Sequence, residues 1–140
     1  MASPGPFATL LASTAATATG NGSAVALDSF NRQYRHGLIF VLDVTAAARA
    51  VGDTLDVFVG SLLDGTNWLD VVHFTQVLGN GGAVRYVSKI TPYLGQAEFS
   101  YGATLAAASI RQILSDQLRV RWTIAGATPN FTFNVKLVIL

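Results

Sequence analysis

Residues 118–140, LRVRWTIAGATPNFTFNVKLVIL, carry the pattern that decides the fold. In each half of this stretch apolar residues occupy every second position, with polar residues between them. The apolar positions are Leu118, Val120, Trp122 and Ile124, then Phe131, Phe133, Val135, Leu137 and Ile139. Strict alternation is typical of β-strands that bury one face. The turn-forming residues 127–130 between the halves predict a hairpin with one solvated face.

The same alternation, with a period of two residues, also occurs closer to the N-terminus. Residues 54–62 alternate, and residues 68–77 return after the turn at 64–67 (DGTN), which predicts a second hairpin. Residues 36–45 form a strand that is apolar on both faces at 38–42, as in a strand covered from both sides. Residues 83–90 form another strand. Residues 105–115 fit either a short helix or a strand ending near Gln112, with the strand preferred.

About seven to nine such strands, separated by turns, predict an all-β fold, an antiparallel sandwich or barrel. The 140 residues suffice for one domain with its own core. We expect residues 28–140 to form this domain.

The composition is unusual for a lone soluble domain. The chain is 51% hydrophobic and only 12% charged, against about 25% charged in typical domains. The net charge is +1, and the basic residues are scattered, so we expect no nucleic-acid partner. No apolar run is long enough for a membrane helix, and the N-terminus lacks a secretory signal, so we expect no membrane partner. A chain of this kind is expected to be covered by other proteins.

The first 27 residues contain no charged side chain. Pro4 and Pro6 exclude a helix at the start. Disordered tails usually carry charge, so we interpret residues 1–27 as an extended N-terminal arm ordered by packing on a partner. Its large apolar residues are the expected partner-binding positions: Phe7, Leu10, Leu11 and Val25.

Few residues suggest chemistry. His36 and His73 lie in strands without neighbouring ligands, so a structural role is expected rather than a metal site. The aspartates at 53, 56, 64 and 70 suggest calcium only weakly, because Asp64-Gly65 is also what a turn requires. Arg119 and Arg121 form a small basic strip that we expect to balance aspartates. No nucleophile motif is present, so we expect no enzyme activity, no cofactor and no metal.

Three blocks resemble a group of small structural proteins of tailed bacteriophages. They are residues 9–22 (TLLASTAATATGNG), 66–76 (TNWLDVVHFTQ) and 118–140, about half of the chain in the same order. The contexts of Trp68 and Trp122 are the most specific parts, whereas residues 85–116 and the loop bearing Arg49 depart from the pattern. The resemblance implies a jelly-roll-like β-sandwich on the virion.

The leading expectation is therefore a capsid decoration or auxiliary protein that stabilises neighbouring capsid subunits through its arm. Its expected partners are the major capsid protein or other virion proteins and further copies of itself, with a trimer favoured. Its expected location is the virion, assembled in the host cytoplasm. A tail, neck or head-completion component has the same composition. A carbohydrate-binding sandwich is a further alternative, which requires exposed aromatic residues. Trp68 and Trp122 are in phase with apolar neighbours, so we expect both in the core.

Overall fold

A computed structural model describes residues 7–27, 37–47, 50–91 and 94–140. These residues form eleven strands: β1 Phe7–Ala16, β2 Gly20–Asn21, β3 Val25–Ala26, β4 Leu38–Ala46, β5 Thr54–Leu62, β6 Trp68–His73, β7 Val77–Leu78, β8 Val84–Ile90, β9 Ser109–Ile110, β10 Gln117–Ala125 and β11 Phe131–Ile139. Every pairing between them is antiparallel. No helix in the described ranges is long and apolar enough to cross a membrane.

The strands form two sheets. The four-stranded sheet has the order β1-β11-β4-β8, and the seven-stranded sheet has the order β2-β10-β5-β6-β9, with β3 beside β10 and β7 beside β5. Treating β2 and β3 as one interrupted strand, and leaving the short β7 and β9 aside, gives eight principal strands. In chain order they are arranged 1-8-3-6 and 2-7-4-5. This is the strand order of a jelly-roll sandwich, so the predicted all-β sandwich is confirmed.

The core lies between the two sheets and is filled by alternate residues of the long strands. β4 contributes Leu38, Phe40, Leu42 and Val44, all fully buried. They face the inner residues of β5 and β10, while Trp122 of β10 meets Phe133 of β11 edge-to-face at 5.4 Å between ring centroids. The outer residues of β4 are half-buried where they were expected to be covered.

The predicted C-terminal hairpin is wrong. β10 pairs with β5, whereas β11 pairs with β1 and β4, so the turn between them crosses from one sheet to the other. Alternation fixes which face of each strand is buried, but two such strands can pair side by side or pack face to face. Gly126 makes the crossing possible, since its φ of +121° is one that L residues avoid and a Cβ there would collide with Asp53. The Asp53 carboxylate is buried and accepts the Thr128 amide at 3.3 Å.

The described part of the N-terminal arm also differs from the expectation. β1 is an edge strand of the four-stranded sheet, and β2 and β3 pair with β10. Leu10 is 5% exposed and belongs to the core of this chain. The apolar residues of 7–27 therefore have a core of their own to enter. Residues 1–6 lie outside the described part.

Of residues 105–115, for which a strand was preferred over a helix, only Ser109–Ile110 form a strand. The rest of it is a loop.

Candidate functional site

The outer face of the seven-stranded sheet carries a cluster of charged and aromatic side chains. Phe58 lies on β5, Trp68 and Asp70 on β6, and Arg119 and Arg121 on β10. In the strand register Arg119 lies opposite Gly60, and Gly60 opposite Asp70. Arg119 and Asp70 therefore lie in one row across the three adjacent strands, and Arg121, Phe58 and His73 lie in the next row.

A β-bulge in β6 sets which of its residues face outward. Val59 pairs with Val72 but Gly60 pairs with Asp70, so one extra residue is accommodated between them. Before the bulge Trp68 and Asp70 point outward, and after it His73 does. The expectation that Trp68 is in the core is wrong for this reason, because the bulge shifts its phase relative to Val72. Trp122, in an unbulged strand, is confirmed in the core at 8% exposed.

Arginines and aromatic rings are stacked on this face. Arg121 binds Asp70 through two hydrogen bonds, Nε–Oδ1 at 2.9 Å and Nη2–Oδ2 at 2.6 Å. Its guanidinium carbon lies 3.7 Å from the centroid of the Phe58 ring, which stacks on His73 at 3.9 Å between ring centroids. Arg119 lies over the Trp68 ring at 4.4 Å. The predicted pairing of the basic strip with an aspartate is confirmed for Arg121.

Positive charge accumulates here. Two effects lower the pKa of Arg119: the larger is its partial burial, and the smaller is the like charge of Arg121.

His73 fastens a loop to the sheet. Its Nδ1 lies 2.8 Å from the Leu105 carbonyl oxygen and its Nε2 lies 2.9 Å from Asp56 Oδ1. The ring therefore bridges a loop carbonyl and a carboxylate on β5. With both nitrogens engaged, His73 has no free position for a substrate proton. The role is structural, as expected. His36 lies outside the described residues.

Arg111 is the buried charge that the sequence did not reveal. It is 6% exposed and donates from Nη1 to the Asp70 carbonyl oxygen and from Nη2 to the Ala103 carbonyl oxygen, at 2.9 and 2.8 Å. Phe99 covers its guanidinium at 4.3 Å from the ring centroid. Among the described residues no carboxylate forms an ion pair with it. Its position in a loop, with no periodic pattern around it, left no signal to find it by.

A cleft of about 300 Å³ opens beside Arg111. One wall consists of side chains from the sheet and the other is the loop at 101–105. Tyr101, 41% exposed, stands at the rim and donates its hydroxyl to the Asn67 carbonyl oxygen at 2.7 Å. Desolvation and the nearby charge of Asp64 raise the pKa of Tyr101. The sheet-side and loop lining residues are Phe58, Trp68, Asp70, Tyr101, Gly102, Ala103, Thr104, Leu105, Arg111 and Arg121.

The aspartates considered for calcium are not brought together. Asp53 binds the turn at 128, Asp56 binds His73, Asp64 caps its own turn and Asp70 binds Arg121. Within the described ranges no group of three or more histidine, cysteine or acidic side chains could hold a metal ion.

The predicted partner-binding residues are spread over both sheets. Leu10 is buried in the core, and Leu11 and Val25 are half-buried against it. The side chain of Phe7 lies outside the described set. Leu10, Leu11 and Val25 thus pack on the core of their own chain. Contact of the arm with a partner stays a prediction.

Comparisons with known proteins add a likeness of fold. No family model and no curated protein matches the chain. A chain in the cryo-EM structure of Broad Bean Stain Virus is similar, with a TM-score of 0.43 and 16% sequence identity. The match covers 89% of this chain and 58% of that one.

Proposed function

We propose that this chain is a non-enzymatic structural protein of a phage virion, a capsid decoration or auxiliary protein that binds neighbouring capsid subunits. A jelly roll hosts many functions, so the proposal has to rest on a surface rather than on the fold. The surface that carries it is the free edge of β1.

The two edges of the four-stranded sheet differ in their protection. β8 carries Arg85 and Lys89, both exposed, and such charges keep a sheet edge from pairing with another chain. β1 (FATLLASTAA) is as long as any strand here and contains neither a charge nor a proline. No described strand pairs with its outer edge. An extended segment of a neighbouring subunit added there gains backbone hydrogen bonds without desolvating a charge.

Charge placed on this edge tests the proposal. Ala12→Lys and Ser13→Lys alter exposed positions of β1, so we expect folded proteins that bind purified capsids roughly tenfold more weakly or worse, as a desolvated charge in the interface costs about 1.4 kcal/mol or more. Ala107→Lys, at an exposed loop position, is the matched control. Co-sedimentation with capsids is the measurement, with thermal unfolding as the check on folding. Unchanged binding of both β1 variants overturns the proposal. Deleting residues 1–20 is a poor test, because it removes Leu10 from the core.

A homo-oligomer, with a trimer favoured, is part of the proposal, since symmetric oligomers suit repeated capsid sites. A tail, neck or head-completion component would use the same edge. Copy number per particle separates the two, because a decoration protein occupies many equivalent capsid sites and the other components occupy few.

A further inference from the structure

We propose that the cleft beside Arg111 is a binding site for an acidic sugar residue. In this arrangement Arg111 and Arg121 hold the sugar carboxylate, and the ring lies against Trp68 and Tyr101. The inference is independent of the proposed capsid role, since the cleft lies on the opposite sheet from the β1 edge.

The first argument is unused hydrogen-bonding capacity. A guanidinium has five N–H donors, and for Arg111 two of them have acceptors among the described residues. Arg121 uses Nε and Nη2 on Asp70, which leaves Nη1. Each guanidinium presents a planar fork of donors that matches a carboxylate, and two of them with donors to spare line this one cleft.

The second argument is charge. Asp70 is the one carboxylate that lines the described cleft, and both of its oxygens accept hydrogen bonds from Arg121. Among the described residues, the contacts that compensate the buried positive charge of Arg111 are two carbonyl dipoles and the Phe99 ring. A buried charge without a counter-ion is costly, so an anion entering the cleft gains more there than at an exposed arginine.

The third argument is shape. A volume of about 300 Å³ is at the lower end of ligand pockets, which suits a single sugar residue. Exposed Tyr101, and the part of half-buried Trp68 that lines the cleft beside Arg119, offer aromatic surface for the C–H groups of a pyranose ring. A bare inorganic anion would leave this aromatic surface unused.

Ligand-observed NMR with the full chain tests the site, using glucuronate and N-acetylneuraminate as probes. Glucuronate methyl ester is the neutral control, and inorganic phosphate tests for an unspecific anion site. We expect binding of at least one acidic sugar and at least a fivefold loss with the ester. A protein that binds neither sugar, or binds the ester equally well, overturns the proposal. Binding of phosphate with no binding of either sugar also overturns it.

Variants locate the site. Arg111→Lys keeps the charge but loses the fork, and Tyr101→Leu removes aromatic surface from an exposed position without touching the core. Both should weaken sugar binding at least fivefold, whereas Arg85→Gln, which removes an exposed arginine from the other sheet, should leave it unchanged. If Arg111→Lys does not fold, Tyr101→Leu alone decides, and unchanged binding by that variant places the sugar elsewhere and refutes the assignment.

Discussion

The outer faces of the two sheets differ in what happens to residues that leave the core. On the seven-stranded sheet Phe58, although it faces outward, is 7% exposed between Arg121 and His73. On the four-stranded sheet Val87 also faces outward and is 66% exposed. Both lie in strands of the same alternating pattern. Alternation therefore identifies the residues that point away from the core, but their environment depends on what crosses that face.

A loop adds to the difference. Between β8 and β9 the chain crosses the seven-stranded sheet, and Leu105, Ala103 and Tyr101 form hydrogen bonds to His73, Arg111 and Asn67. No described loop makes comparable contacts with the outer face of the four-stranded sheet. One face thus acts as a second, polar and aromatic layer of packing, while the other keeps an accessible surface.

The largest expected effect comes from truncating the outward-facing side chains of Phe58 and Val87. Phe58→Ala deletes a nearly buried ring and its contacts with Arg121 and His73, so we expect a loss of about 3–5 kcal/mol in the free energy of unfolding. Val87→Ala, at an exposed position, should stay within about 0.5 kcal/mol of the wild type. Urea denaturation measures both. Similar values for the two variants would mean that the packing of Phe58 between Arg121 and His73 contributes little to stability.

Ion pairs allow a second comparison with matched chemistry. Arg121–Asp70 is bidentate, and its side chains are 31% and 24% exposed, whereas Arg85–Asp43 has one contact of 3.2 Å and an arginine that is 75% exposed. Double-mutant cycles with Arg→Gln and Asp→Asn should give a coupling energy of about 1.5–2 kcal/mol for the first pair. For the second we expect about 0.5 kcal/mol or less.

Salt separates the pairs further. The coupling on the four-stranded sheet should fall toward zero in 1 M salt, where the Debye length is about 3 Å and exposed charges are largely screened. The other coupling should largely persist, because its side chains are less exposed. Equal couplings, or equal salt dependence, would contradict the idea that the loop shields one face.

Local features were predictable because nearby residues determine them. The inner face of β5, with Leu55, Val57 and Val59 fully buried, follows from alternation alone. The turn after β5 follows from Asp64-Gly65, where Gly65 adopts a φ of +81°. The all-β class follows from the number and spacing of such strands, which left an antiparallel sandwich and a barrel both open.

Features that depend on distant partners were not predictable in this way. The crossing between β10 and β11 rests on Asp53, more than 70 residues away in the chain. The position of Trp68 rests on a bulge of one residue, which the sequence of β6 does not mark. The uncharged sequence of β1 predicted a separate arm that packs on a partner. An edge strand paired with β11 can have the same uncharged sequence, so composition does not distinguish the two. Arg111 lines the cleft because the loop that contains Phe99 and Ala103 packs around it, and such contacts leave no local pattern in the sequence.

The smallest expected effect concerns the turn that joins β5 to β6 and supports the covering loop. Asp64 accepts hydrogen bonds from the amides of Asn67 and Thr66 and from the Asn67 side chain, which together lower its pKa from the ordinary 3.8 to about 2. Because the pKa of Asp64 is depressed in the folded protein, its carboxylate stabilises the turn at pH values above its ordinary pKa. This stabilisation is lost as the pH falls toward about 2.

Asn67 also holds Tyr101 through its carbonyl oxygen, so the contact between the loop and the turn should loosen in the same pH range. The Asn67 amide shift in NMR should therefore titrate near pH 2. Asp64→Asn, which retains an acceptor oxygen, should abolish this titration with little change in the fold. A midpoint near 3.8 in the wild type would show that the turn is not held by these bonds and would leave the loop fastened by His73 and Arg111 alone.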